Sequence, residues 1–312
     1  MNRRAGQITA HGPAATPVHS ARPRKMSVVM VVYMTGTALF ESVASVLADP
    51  RVDEFVIVDN GSLPQDLLRL KDLAAREPKI SLVSGQGNVG FARGANLGAR
   101  ASRGDLIVFL NPDAFLQANC LTELGHAIEG RTVPSLVGGR VLNMDLTEQR
   151  GARRGDITLM SALMSLSHLA KKIPAWSRYE VHWETEATPD SVAAVPTISG
   201  ACFCMRREDF DAVQGFDEGY FLHVEDVDLC WRVRRAGGQV LFAPKAEVIH
   251  VGHTSQANPI KVEYYKGVGL ARYFRKRAET VSQTLLAWLL SPVIVVTAVA
   301  RPVMWRVRGR TA

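Results

Sequence analysis

The sequence predicts an α/β protein built on an open, mostly parallel sheet with helices on both faces. Short apolar runs rich in β-branched residues alternate with segments of helical pattern, and such runs are typical of strands buried on both faces. Their order is β-α-β-α-β-α-β, and right-handed crossovers between parallel strands then give this architecture. Polar residues follow several of the strands, at the edge where α/β proteins bind ligands.

The first third of the chain supplies the regular part of this pattern. Strands are predicted at 27–33, 54–58, 79–83 and 106–110, and helices at 37–47, 65–76 and 92–102. The pattern then loosens, and residues 145–195 are irregular. The later predicted elements are a helix at 117–130, a strand at 137–142, a strand of small residues at 197–207, a helix from about Glu225, strands at 239–242 and 246–253, and a helix at 261–276.

Three glycines after the third strand match the dinucleotide-binding spacing G-x-G-x-x-G. They are Gly85, Gly87 and Gly90. A dinucleotide fold carries this spacing after its first strand, with an acidic residue at the end of the next one. Here the next strand ends at Asn111 and Asp113, so nicotinamide or flavin binding is not expected.

Asn111 and Asp113 follow the strand Leu106–Leu110 and lie two residues apart. A carboxylate at this edge suits a hard divalent cation that is shared with a substrate phosphate. The alternative is a simple turn, because Asn, Pro and Asp all favour turns.

Glu225, Asp226 and His250 are further candidate site residues. Acids in the first turn of a helix are favoured by its dipole, and Asp228 forms an i,i+4 pair with Arg232. This accounts for Asp228 but less well for Glu225 and Asp226, since three acids in four residues repel each other. His250 ends a predicted strand, although a lone histidine is more often structural.

The charge is unevenly distributed along the 312 residues, whose net charge is +7. Residues 1–25 hold five basic groups and no acidic one, and residues 271–312 hold eight basic groups and one acidic one, which leaves −5 for residues 26–270. An acidic body argues against nucleic-acid binding, and basic ends suit anionic lipid. Residues 1–25 also lack periodicity and an apolar core, so we expect a disordered tail and no secretory signal.

The cysteines indicate a reducing compartment. The four cysteines contain no C-x-x-C pair, so neither a zinc site nor a disulfide framework is expected.

Two apolar segments leave alternatives open. Leu159, Met160, Leu163, Met164, Leu166 and Leu169 form a patch that is either core or a lid touching a lipid acceptor or membrane. Residues 285–300 are strongly apolar, have Trp288 and Trp305 near their ends, and are shorter than the roughly 20 residues of a spanning helix. This tail is an in-plane or re-entrant anchor, a short span, or a segment docked on a partner or on the body.

Several motifs in order resemble one family. They are Val58–Ser62 (VDNGS), Asn88–Asn96 (NVGFARGAN), Leu110–Asp113 (LNPD), Gly215–Glu218 (GFDE), Phe221, Glu225–Arg232 (EDVDLCWR) and His250. This set is similar to family 2 glycosyltransferases with the GT-A fold, and most similar to the rhamnosyltransferase branch of cell-wall and O-antigen polysaccharide assembly. The resemblance covers about residues 26–275, between the tail 1–25 and a C-terminal helical tail at 276–312.

The resemblance implies a role for each matching position. Asp59 would bind the base and ribose of a nucleotide-sugar, and Asn88, Gly90, Arg93 and Asn96 would line the donor pocket. Asn111 stands where the family has the first acid of its D-x-D metal motif, so Asp113 would be the main carboxylate ligand and His250 a further one. Asp226, paired with Glu225, would be the catalytic base. Tyr33, at the end of the first strand, and Gly200, in the small-residue strand, complete the predicted donor site.

These residue types suit transfer from a nucleotide-diphosphate sugar. Mg²⁺ or Mn²⁺ would neutralise the leaving diphosphate, and a carboxylate would deprotonate the acceptor hydroxyl. One base without a second nucleophile predicts a single displacement with inversion. The resemblance implies dTDP-rhamnose as donor, a polyprenyl-linked or polysaccharide acceptor, and a cytoplasmic enzyme that is peripheral to or anchored at the inner membrane.

Three rivals remain at this stage. The same fold could use another sugar, namely a hexose, galactofuranose or N-acetylhexosamine. A nucleotidyltransferase would need a basic phosphate loop near the N-terminus, and residues 33–37 contain no basic residue. A non-catalytic sugar-nucleotide-binding protein would not need Asp59, Asp113, Asp226 and His250 together.

Overall fold

The computed structural model describes residues 24–162, 181–252, 254–255 and 257–307. Residues 1–23 of the predicted tail lie outside the described residues, as does the predicted apolar patch beyond Ala162.

The first four strands form the parallel part of a central sheet, in the order β3-β2-β1-β4. Each lies within one residue of its predicted bounds, and so does each connecting helix. The strands are β1 (Met26–Val32), β2 (Glu54–Asp59), β3 (Ile80–Val83) and β4 (Leu106–Leu110), and the helices are α1 (Ala38–Ala48), α2 (Pro64–Arg76) and α3 (Phe91–Ala101).

The second half of the chain extends this sheet. Its described elements are β5 (Ala114–Leu116), α4 (Cys120–Ile128), β6 (Ser135–Leu142), β7 (Arg153–Arg154), β8 (Ala193–Ala194), β9 (Thr197–Ile198), β10 (Cys202–Arg206), α5 (Arg207–Ala212), α6 (Glu225–Arg235), β11 (Gln239–His250), α7 (Pro259–Arg277) and α8 (Val281–Val307). Strand β10 is antiparallel to both β4 and β6, β11 is parallel to β6, and β5 pairs antiparallel at the far edge. The sheet is therefore mixed but mostly parallel, as predicted.

Three predicted strands differ from the structure. The segment 197–207 is interrupted at 199–201, so that β9 pairs with β7 in a separate ladder and β10 joins the main sheet. The segments 239–242 and 246–253 are one strand, β11, whose register shifts between Ala243 and Glu247. Pro244 lies at this shift, where its missing N–H removes a ladder hydrogen bond.

Helices cover both faces of the sheet, and side chains alternate between two cores. Val29 and Val31 of β1 contribute to the core beneath α3, α6 and α7, whereas Val28 and Met30 contribute to the core beneath α1 and α4. This alternation explains the continuous apolar runs, because each strand is buried on both sides.

The C-terminal helices α7 and α8 form a hairpin against the first of these cores, to which both contribute buried residues. Helix α7 begins with an Asn258 cap whose Oδ1 accepts from the Ile260 N–H at 2.9 Å. Helix α8 has 27 residues, and its segment Val281–Ala300 is long and apolar enough to cross a membrane by length and composition. The prediction that this run is too short was wrong, because the helix begins earlier. Its hydroxyl groups also stay paired, with Ser291 Oγ donating to the Ala287 carbonyl at 2.7 Å.

Candidate active site

The residues after β4 and the end of β11 meet at the edge formed by the carboxyl ends of the parallel strands. The Asp113 Oδ1 and His250 Nε2 atoms are 3.1 Å apart, and the Asn111 Nδ2 lies 3.3 Å from the same nitrogen. Strand β5, directly after Asp113, pairs with the end of β11, so that Ala114 lies opposite His250. The structure thus brings together the two predicted metal ligands, Asp113 and His250, with the predicted donor-site residue Asn111 beside them.

The hydrogen bonds of Gln149 fix the proton on the His250 ring. The Gln149 Nε2 donates to the His250 carbonyl at 3.1 Å and to Asn143 Oδ1 at 3.2 Å, so its Oε1 is the atom 2.7 Å from His250 Nδ1. An amide oxygen only accepts, and Nδ1 therefore carries the proton. The His250 Nε2 atom faces the Asp113 carboxylate at hydrogen-bond distance, and a bound cation would replace the proton that joins these two atoms.

A divalent ion fits this donor set. Among the described residues, no group of three His, Cys, Asp or Glu side chains is placed to hold a metal. Mg²⁺ sites at phosphates commonly use only one or two protein carboxylates, with substrate oxygens and water as the other ligands. A histidine that binds a metal through one ring nitrogen usually donates its other ring N–H to an oxygen, as His250 does to Gln149.

Asp113 is held in its ionised form. Burial acts to raise its pKa, but the hydrogen bond and charge of His250 and the Thr254 hydroxyl, which donates to Oδ2 at 2.9 Å, outweigh this effect and lower the pKa below its ordinary value. Gln149 and Thr254 were missed from the sequence. Thr254 lies just beyond β11, but Gln149 belongs to an irregular segment that carries no pattern.

Asp226 lies at the start of α6 and is paired on both oxygens. Its Oδ2 accepts from Arg154 Nη2 at 2.9 Å and from the Gly200 N–H at 3.1 Å, and its Oδ1 accepts from the Val227 N–H at 2.8 Å. Arg154 also donates to the Ile198 carbonyl at 3.1 Å, which anchors the guanidinium on β9. Arg154 was missed from the sequence, where it is one of two adjacent arginines in an irregular segment.

Glu225 lies beside Asp226 at the start of α6 and is buried. Burial, with a further contribution from the Asp226 charge, raises the pKa of Glu225 to about 8. Its Oε2 has no hydrogen-bond partner among the described residues. Glu225 is therefore protonated at neutral pH and unsuited to accept a proton there. Its predicted catalytic role stays a prediction.

One short turn connects the Asn111–Asp113–His250 cluster to the Asp226 carboxylate. Gly200 donates to Asp226, and the next residue, Ala201, accepts the Asn111 N–H at 2.9 Å. This turn is the interruption between β9 and β10. It places the Asn111–Asp113–His250 cluster and the Asp226 carboxylate on either side of the same two residues.

The ends of β1 and β2 form a second part of the site. Asp59 is buried, and its Oδ1 accepts from the Ser62 N–H at 2.8 Å, which closes the turn after β2. The Tyr33 ring packs over Gly61 in this turn. Gln86, which sequence reasoning missed, donates to the Asp59 carbonyl at 2.6 Å. The buried Ser62 hydroxyl has no hydrogen-bond partner in the described structure.

The four predicted donor-pocket residues around α3 have internal partners. Asn88 Oδ1 accepts from the Gly90 N–H at 3.1 Å, and the Arg93 Nε lies 3.0 Å from Glu218. Asn96 is buried and bonds with both the N–H and the carbonyl of Phe216, at 2.9 Å each. The donor-binding role of these residues stays a prediction.

Comparison with known proteins identifies the family. The sequence model described as "Glycosyl transferase family 2" matches residues 27–213, and that of the "N-terminal domain of galactosyltransferase" matches residues 186–254. The first match covers more than half of the chain. The chain belongs to glycosyl transferase family 2. It is therefore a family 2 glycosyltransferase, as the motifs predicted.

Individual relatives agree with this assignment. The chain is 29% identical over 252 residues to the N-acetylglucosaminyl-diphospho-decaprenol L-rhamnosyltransferase of Mycobacterium tuberculosis, which covers 75% of this chain and 78% of the relative. It is 27% identical over 218 residues to the rhamnosyltransferase WbbL of Escherichia coli, which covers 66% of this chain and 75% of the relative.

A solved structure establishes the fold of this family 2 enzyme. The mannosyltransferase PcManGT from Pyrobaculum calidifontis, in complex with GDP-Man and Mn²⁺, matches with a TM-score of 0.55 at 16% identity, over 93% of this chain and 77% of that one. The fold is GT-A, as predicted.

Proposed function

We propose that this glycosyltransferase moves rhamnose, with inversion, from dTDP-rhamnose to a polyprenyl-linked or polysaccharide acceptor of the cell envelope. The main support for the proposal is the turn at Gly200 and Ala201, which joins the Asn111–Asp113–His250 cluster to the Asp226 carboxylate. Metal-assisted departure of a diphosphate and deprotonation of an acceptor need these two groups on one site.

The two named rhamnosyltransferases favour rhamnose as the sugar, and the name of the mycobacterial one favours a lipid-linked diphosphate as the acceptor. All four cysteines are free and buried, which suits a cytoplasmic enzyme at the inner face of the membrane.

In this proposal the donor nucleotide binds over Tyr33 and Asp59. The diphosphate then extends toward Asp113 and His250, since β1, β2 and β4 present their carboxyl ends at the same edge. Asp113, His250 and Asn111 would hold Mg²⁺ or Mn²⁺, which when bound supplies positive charge to the leaving diphosphate. Gln149 and Thr254 keep the two protein ligands oriented.

Asp226 is the proposed base. Its carboxylate accepts the proton of the acceptor hydroxyl as the oxygen–anomeric carbon bond forms and the bond to the diphosphate breaks. The nucleoside diphosphate leaves with the bonding electron pair, and attack from the opposite side inverts the anomeric carbon. Arg154 and the Gly200 N–H orient the carboxylate and leave its remaining lone pairs for this proton.

A donor screen tests the proposal. The protein is heated with Mn²⁺ or Mg²⁺ and, in turn, dTDP-rhamnose and a series of dTDP-, UDP- and GDP-sugars, and the unfolding temperature is measured. We expect the largest increase with dTDP-rhamnose plus metal. Asp113→Asn should lose it, whereas Asp145→Asn, a change on an exposed loop, should keep it.

Two other results would change the proposal. A metal-dependent increase only with a UDP-hexose, UDP-galactofuranose or UDP-N-acetylhexosamine would replace rhamnose by that sugar. No increase with any nucleotide-sugar would contradict the donor site itself.

A further inference from the structure

Helix α8 has its apolar side chains on the outside. Three of the residues that it buries are small, namely Ala287, Ser291 and Ala298, and the fourth is Ile294. The exposed face carries Leu285, Trp288, Leu289, Val293 and Val296, with Leu285 66% and Leu289 73% exposed. Only 17% of the apolar window of this helix is buried, unlike the core helix of a water-soluble domain.

The buried stripe of α8 allows close packing on α7. A Cβ atom added to Gly267 of α7 would lie 3.0 Å from the Ala298 Cβ and from the Val295 Cα. About two turns further along α7, the Arg275 Nη1 donates to Ser291 Oγ at 2.8 Å, and the Arg275 guanidinium lies over the Trp288 ring at 4.6 Å. Helix α8 therefore stays against α7 from Trp288 to Ala298.

Helix α7 is in turn fixed to the catalytic domain by ion pairs. The Arg272 Nη2 lies 2.9 Å from Asp217, and the Lys276 Nζ lies 2.8 Å from both Asp217 and the fully buried Asp228. Arg277 pairs with Asp156 at 2.9 Å. If α8 crossed a bilayer, it would draw this charged helix and its partners into the hydrocarbon, where each charge is costly.

We propose that α8 lies flat on an anionic lipid bilayer, with the Leu285–Leu289–Val293–Val296 face inserted at the boundary between headgroups and acyl chains. An amphipathic helix that binds in this way combines an apolar face with nearby basic groups. Arg272, Lys276 and Arg277 are already paired with acidic residues of the catalytic domain. Arg301, Arg306, Arg308 and Arg310 follow the apolar face in the sequence, with no acidic residue among them. Anionic headgroups complement this charge, whereas a second copy of the chain would repel it.

This docking fixes the orientation of the active site. Gly269 of α7 packs against the turn before Glu225, where an added Cβ would lie 3.0 Å from the His223 carbonyl and 3.2 Å from Val224. Both turn residues have positive φ, 66° and 73°, so the surrounding packing has to hold them. The catalytic turn thus lies about two helix diameters, roughly 20 Å, from the lipid-facing side of α8. The inference that α8 binds lipid depends only on the features of α7 and α8. The further inference that this docking presents the active site to a lipid-linked acceptor rests on the proposed function.

Co-sedimentation with vesicles tests the docking surface. The full chain is mixed with vesicles of phosphatidylcholine alone or of equal parts phosphatidylcholine and phosphatidylglycerol. We expect binding to the anionic vesicles that weakens with salt. The double variant Leu285→Glu/Leu289→Glu should lose at least about tenfold in partition coefficient. Leu68→Glu, at an equally exposed leucine (68%) on α2, is the matched control and should bind as the wild type does.

The outcomes separate this inference from the proposed function. Equal binding by the wild type and the double variant, or no binding by the wild type, would overturn the docking surface. Bound protein that resists extraction at alkaline pH would show a spanning helix and overturn the in-plane geometry. Unfolding curves and donor hydrolysis by the double variant should match the wild type, so neither misfolding nor a wrong donor can imitate the result.

Discussion

Replacing Glu225 by glutamine should stabilise the protein in a pH-dependent way. The carboxyl is buried, its Oε2 is unpartnered, and its pKa is raised from 4.5 to about 8. In the unfolded chain the same group ionises near its ordinary value. Between these two pKa values the folded state holds a proton that the unfolded state has lost, so the stability of the wild type falls as the pH rises.

The size of the effect follows from the shift. Each pH unit between about 4.5 and about 8 costs about 1.4 kcal/mol of unfolding free energy. The penalty is absent below pH about 4.5 and reaches about 3 kcal/mol at pH 7. Glutamine has the same shape as the neutral acid and no ionisable proton. The Glu225→Gln variant should therefore escape the penalty.

Urea unfolding of both proteins at pH 5 and pH 7.5 measures this difference. We expect the unfolding free energies to differ by less than about 1 kcal/mol at pH 5, and the variant to be more stable by about 4 kcal/mol at pH 7.5. Glu77→Gln, at an exposed position after α2, is the control and should show no such gain. A constant difference at both pH values would refute the reasoning, because the carboxyl would then be ionised in the folded protein.

Two further predictions concern residues that shape the site. Gln149→Leu should weaken Mn²⁺ binding by about 10- to 100-fold, because His250 loses the acceptor that fixes its ring, whereas Gln149→Glu retains an acceptor. Calorimetric titration with Mn²⁺ measures both affinities. Unchanged Mn²⁺ affinity in the leucine variant would contradict the role of Gln149. Gly90→Ala should destabilise the fold by about 3 kcal/mol, because its φ is 84° and the new Cβ would lie 2.6 Å from the Phe221 carbonyl. Gly87→Ala is the control: its φ is 64°, the new Cβ would meet no atom within 4 Å, and the cost should be only about 1 kcal/mol. Similar melting temperatures for the two variants would refute the steric explanation.

The early elements could be predicted because their signals are local. Strands β1, β2 and β4 are continuous apolar runs, and each ends at polar residues that mark the ligand edge. The same locality placed Asp113 and His250 at strand ends, although only the structure shows that β5 pairs with β11 and brings them together.

The residues that sequence reasoning missed depend on long-range contacts in irregular segments. Gln149 contacts a histidine 101 positions away, and Arg154 contacts an aspartate 72 positions away. Neither lies in a periodic segment, so no pattern of spacing distinguishes it from a surface residue. Glu225 shows the same limit, because its protonation depends on burial beneath neighbouring elements.

In the proposed reaction Asp226 accepts the proton of the acceptor hydroxyl. The most direct measurement compares the wild type with Asp226→Asn in two assays, the binding of dTDP-rhamnose with Mn²⁺ and the transfer of rhamnose to a polyprenyl-diphosphate-linked acceptor. A positioned base contributes about 10²- to 10⁴-fold, so the variant should lose that factor in transfer and bind the donor with affinity within a few-fold of the wild type. Full turnover by Asp226→Asn would contradict the assignment of the base.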